Sequence, residues 1–141
     1  MTILWMGKND TPGEEEKTIT RVDACAEYAS GPQDRVLVLG HFVNYETSPE
    51  QVKKVLDLNA THKATYGDRY LDFQDWLMSD QVWEDTDITP TDEDRQAQAA
   101  GQLAPSLQKD AGHMSWYVHQ AGARRVHKKL ADLGWVAAPQ D

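Results

Sequence analysis

Two residues near the C-terminal end of this 141-residue chain have the types and spacing of an acid–base pair. They are Asp110 and His113, in Lys109-Asp110-Ala111-Gly112-His113-Met114. An Asp three residues before a His can hold the imidazole in one tautomer and leave the other ring nitrogen free as a general base. With five His in the chain, chance alone supplies about one half of one such match, so the pair needs company. A rarer pattern stands at the other end, Gly7-Lys8-Asn9-Asp10. A Gly-x-Asn-Asp run is expected roughly 0.02 times in a chain of this composition. It follows directly on the apolar run Thr2-Ile3-Leu4-Trp5-Met6, where an Asn side-chain amide could donate to a developing oxyanion.

The elements that must position these residues read as an α/β alternation. Thr2–Met6 and Arg35–Gly40 are short apolar runs bounded by turn residues, as in strands buried on both faces of a parallel sheet. Thr11-Pro12-Gly13-Glu14 and Ser48-Pro49-Glu50-Gln51 fit capping boxes with Pro at the first helical position. The first opens a helix to about Ala29, with Ile19, Val22, Ala26 and Ala29 as its apolar stripe, stopped by Ser30-Gly31-Pro32. The second opens a helix to about Thr65, with Val52, Val55 and Leu56 inward. Tyr70-Leu71-Asp72-Phe73 reads as a third strand. Residues 74–105 read as a lid-like insertion over the sheet edge, containing a short helix and a polar helix opened by Thr91 and closed by Gly101. A loop carrying Asp110 and His113 follows, then a last helix with Val126, Leu130 and Leu133 inward and Gly134 at its end.

Ligands of open parallel sheets bind at the carboxyl ends of the strands. That edge would gather Gly7, Lys8, Asn9 and Asp10 after the first strand, and His41, Asn44 and Tyr45 after the second. Asp72 with Gln74 after the third and the Asp110–His113 loop would complete it.

Composition narrows the partners. A net charge of −9 and a pI near 4.9 argue against nucleic acid and against an anionic membrane surface. No apolar run approaches transmembrane length and no export signal opens the chain, which predicts a soluble protein and leaves its compartment open. Cys25, the lone cysteine, reads as a structural thiol. Asp110, His113 and His119 could approach one ion, yet no zinc-ligand spacing is present, so no metal and no cofactor is expected. Trp76, Trp83, Trp116 and Tyr117 could form a sugar-stacking platform; the reading assigns Trp76 to the core and Trp116 to a pocket rim. His41, His62 and His127 read as a loop residue and two surface-helix residues, with His41 also a candidate substrate contact.

Taken together, Gly7-Lys8-Asn9-Asp10, the Tyr66-Gly67-Asp68-Arg69-Tyr70-Leu71-Asp72 segment and Asp110-Ala111-Gly112-His113 resemble the C-terminal portion of the SGNH (GDSL-type) hydrolase superfamily. The stretch from Tyr66 to His113, with Ile88-Thr89-Pro90-Thr91, is most similar to esterase-type modules of bacteriophage tail proteins. The resemblance implies a three-layer α/β/α, flavodoxin-like fold lacking its first strands, in one incomplete domain over residues 1–141. It implies ester hydrolysis, including O-acyl carbohydrate esters, with His113 as base, Asp110 as its orienting carboxylate, Asn9 in the oxyanion hole and Gly7 shaping the strand exit. The family's nucleophilic Ser lies in a Gly-Asp-Ser block that precedes the Gly-x-Asn-Asp block, and no Ser of this chain stands in such a context. After His113 the pattern also differs, with Gly122 nine residues on instead of a Gly about five residues on. The expectation is a strand edge at Thr2–Met6 in a chain that either associates with another polypeptide bearing the missing strands and Ser or is cut from a longer reading frame. A non-catalytic structural or carbohydrate-binding module, such as a virion component, is the alternative.

Overall fold

In the computed structural model, which describes residues 1–10, 12–31 and 34–138, three short strands form the middle layer. They are β1 (Thr2–Leu4), β2 (Val36–Leu39) and β3 (Tyr70–Leu71), parallel and in the order β1-β2-β3. Ile3 stands opposite Leu37, and Val38 opposite Tyr70. Alternation along β2 divides the core into two. Val36 and Val38 face one side, with Val22 and Ala26 of α1 (Glu15–Ser30) and Tyr66 of α2 (Pro49–Tyr66). Leu37 and Leu39 face the other, against α3 (Phe73–Leu77), α4 (Gln81–Thr86) and α6 (Trp116–Asp132). This is a small three-layer α/β/α fold.

Local chemistry explains most boundaries. Ser48 accepts from Gln51 N at 3.2 Å, with Pro49 at the first helical position, and Gly67 ends α2. Thr91 and Asp94 form a capping box for α5 (Asp92–Ala99). The first helix differs: α1 starts at Glu15 with Glu14 at its cap, so Pro12 and Gly13 precede the helix. Thr11 and Pro32, read from the sequence as cap and breaker, lie outside the described residues.

Four expectations are corrected. β1 is not buried on both faces: Ile3 is 42% exposed, and Trp5 and Met6 beyond it are also exposed. Asp72 is not in a strand but caps α3, accepting from Asp75 N at 3.0 Å. Residues 74–105 are not a lid; Leu77, Val82, Leu103 and Ala104 are fully buried and form much of the second core. The inward face of α2 runs Lys54, Val55, Leu58, Asn59, His62 and Tyr66, whereas Leu56 is exposed. Among the described residues no helix is long and apolar enough to cross a membrane.

Candidate functional site

Asp110 and His113 sit in a hairpin rather than in an open loop. Asp110 ends β4 (Gln108–Asp110) and His113 begins β5 (His113–Met114), with Ala111-Gly112 as the turn. The Asp110 carboxylate accepts the Gly112 N–H at 3.1 Å, the side-chain turn that Asp favours. The same oxygen, Oδ1, accepts from His113 Nδ1 at 2.7 Å. These two donors, the Gly112 N–H first, hold the Asp110 carboxyl below its ordinary value. A carboxylate on Nδ1 fixes the proton there and leaves Nε2 with a lone pair. Both groups are open to solvent, with His113 73% and Asp110 50% exposed.

The loop after β1 faces this hairpin. A cleft of about 300 Å³ lies between Trp5, Lys8 and Asn9 on one side and Gly112, His113 and His119 on the other, with the buried Phe42 and Met114 completing its lining. Base and amide donor therefore share one cavity. Gly7 makes the turn possible: its φ is +105°, and a Cβ there would collide with the Thr18 methyl. Asp10, the last residue of the motif, accepts from Thr18 Oγ1 at 2.5 Å and is 3.7 Å from the Arg21 guanidinium.

Three residues hold the loop, of which Lys54 has no place in the sequence reading, while Lys8 and Gln51 stand there at the edge and in a capping box without this role. Lys54, only 1% exposed, donates from Nζ to Lys8 O at 2.9 Å and also to Asp10 O. Gln51 Nε2 donates to Lys8 O at 3.2 Å. Lys8 itself reaches from Nζ to Asn44 Oδ1 at 2.8 Å and Gly112 O at 3.2 Å, with the ring centroid of Phe42 3.2 Å away. The signal for Lys54 was its place four residues before Leu58 in the series Leu58, His62, Tyr66.

Other candidates fall elsewhere. His41 is 1% exposed, and its Nε2–H donates to Met6 O at 2.7 Å, so the ring packs under β1's exit instead of meeting substrate. Burial pushes its pKa down to about 4. His62 is buried in the α2 face, not on a surface helix, while His127 is exposed. Gln74 braces two loops, accepting from Val43 N at 2.9 Å and donating to Gly101 O at 2.8 Å. Trp116 is 68% exposed at the start of α6 and is not part of the cleft lining; Trp76 is in the core. Among the described residues no three His, Cys, Asp or Glu side chains come together to hold an ion.

Among the described residues no serine hydroxyl is hydrogen-bonded to His113, whose ring bonds Asp110 through Nδ1. Ser106 Oγ donates to Asp94 at 2.8 Å, Ser79 Oγ to Trp76 O at 2.7 Å, and Ser30 Oγ to Ala26 O at 2.7 Å. Ser48 caps α2, and the Ser115 hydroxyl is buried without a partner among the described residues. Beside the cleft, and sharing Trp5, Met114 and His119 with it, lies an apolar groove of about 310 Å³. Ile3, Leu39, Phe73 and Val126 line that groove, and among the described residues β1 has β2 as its one strand neighbour.

Comparison with models of known protein families, with curated proteins and with solved structures finds no significant match to this chain.

Proposed function

We propose that this chain supplies the base and oxyanion side of an SGNH-type ester hydrolase, completed by a serine on a polypeptide segment outside these residues. The observation that carries the reading is the single cleft that holds both Asn9 and an Asp110-oriented His113. In the completed site, His113 Nε2 takes the serine proton as Oγ attacks the ester carbonyl, and later returns it to the departing alcohol oxygen. The Asp110 carboxylate stabilises the imidazolium formed between those steps. The Asn9 amide donates to the carbonyl oxygen as it gains charge.

The serine-bearing segment would add a strand along the open side of β1 and cover the apolar groove lined by Ile3 and Val126. The substrate class we propose is a small acyl ester, including O-acyl carbohydrates, bound in the cleft lined by Trp5, Asn9, His113 and His119.

The test is turnover of a short-chain acyl ester by this chain alone and mixed with a polypeptide carrying a strand followed by Gly-Asp-Ser. The chain alone is expected to be inactive and the mixture active. His113→Ala should lower the mixture's kcat by about 10³-fold or more, and Asn9→Ala by about 10²-fold. If no mixture shows activity that depends on His113, the protein is a non-catalytic structural or binding module.

A further inference from the structure

Lys8 links the three loops around the cleft. Its backbone lies in the Gly7–Asp10 loop, its Nζ donates to Asn44 Oδ1 in the loop after β2, and it donates to Gly112 O in the turn between Asp110 and His113. The hairpin turn itself is exposed and packs little of its own surface. Lys8's carbonyl is in turn held by Lys54 and Gln51 of α2. A continuous set of hydrogen bonds therefore runs from α2 through Lys8 to the peptide that joins Asp110 to His113.

We infer that Lys8 is a positioning residue that sets the Asp110–His113 hairpin against the Asn9 loop. The inference rests on the hydrolase reading for its catalytic meaning, but its geometry does not depend on a serine. Lysine suits the task because an ammonium has three donors. Two are committed to Asn44 and Gly112, and the Phe42 ring lies against the charge, a favourable place for a cation. That arrangement also argues against Lys8 as an anion-binding group, since a ligand would have to displace both acceptors. Burial lowers the Lys8 pKa to about 8, so the ammonium form that makes these contacts prevails at neutral pH.

The experiment follows the His113 ring and the Gly112 amide by NMR in the free chain. Lys8→Met is expected to shift both sets of signals, and Lys8→Arg to return them toward the wild-type positions. Asn44→Ala, which leaves Lys8 in place but removes one of its acceptors, should move the same signals in the wild type and not in the Lys8→Met background. Unchanged His113 and Gly112 signals in Lys8→Met would overturn the inference. So would an Asn44→Ala effect of equal size in both backgrounds. Should Lys8→Met not fold, Asn44→Ala in the wild type decides alone: movement at His113 supports the inference and none refutes it. Because no serine or substrate enters these spectra, they succeed or fail apart from the hydrolase reading. In an active mixture the same Lys8→Met change should lower kcat roughly 10- to 100-fold with KM little altered.

Discussion

A buried neutral imidazole makes stability depend on pH, and His41 is such a group. Its folded pKa is about 4 against an ordinary 6.5, because burial disfavours the charged ring. Between those values the unfolded chain binds the extra proton, so stability rises with pH through this window and is lost as pH falls. The stabilisation is complete above about pH 6.5. From pH 7 to pH 5 this residue should cost about 2 kcal/mol. His41→Gln keeps a donor for Met6 O and does not titrate, so urea unfolding of this variant should show a pH slope shallower by that amount. An equal slope in both proteins would refute this. His62, also lowered by burial, keeps part of the slope in either protein. At this scale the sequence revealed what is local. Asp110, His113 and Asn9 were found because three- and two-residue spacings survive folding. His41 was misread, Lys54 was missed and the bonds of Lys8 were unseen because their environments are made by residues 35 to 104 positions away.

Between elements, Asp94 clamps α5 to the short 3-10 turn Pro105–Leu107 that leads into β4. The carboxylate is fully buried and accepts from Thr91 N and Oγ1 and from Ser106 N and Oγ, all at 2.8 Å. Burial by itself would raise its pKa, but the backbone N–H groups of Ser106 and Thr91 outweigh that and lower it. Asp94→Asn turns one acceptor into a donor facing other donors. It should destabilise the protein by about 2–3 kcal/mol in a thermal or urea melt, more than the roughly 1 kcal/mol of a lost cap alone. A cost no larger than that of Thr91→Ala would remove Asp94's role as a clamp. The caps at Ser48 and Thr91 were readable because their partners are three residues away. The packing of residues 74–105 was not, since α3 and α4 span five and six residues, too few for a helical period to emerge. β1 was found, but its burial was overstated: an apolar run does not reveal that the strand lies at the sheet edge.

For the whole molecule, β1's place at the sheet edge, among the described residues, leaves its backbone open on one flank, with Ile3, Trp5 and Met6 exposed. Exposed apolar edges pair with other chains. The protein alone is expected to self-associate in sedimentation velocity as its concentration rises, and Ile3→Lys to suppress this while changing stability by about 1 kcal/mol or less. A wild-type chain that sediments as a monomer at every concentration would refute this. The parallel α/β order could be read from the sequence because strand and helix signals alternate. The edge position of β1 was expected only from the resemblance, since spacing along one chain does not give the order of strands in a sheet.

Strand polarity adds a selection rule at this edge. Residues at the cleft come from the carboxyl ends of strands, so an added strand delivers its C-terminal loop to His113 only if it runs parallel to β1. Two copies meeting edge to edge about a two-fold axis must instead run antiparallel. Such a pair closes both edges without bringing any new residue to either cleft. On the proposed function, self-pairing and completion of the site would therefore be mutually exclusive uses of one strand, and dilution would favour completion by a strand of the productive direction.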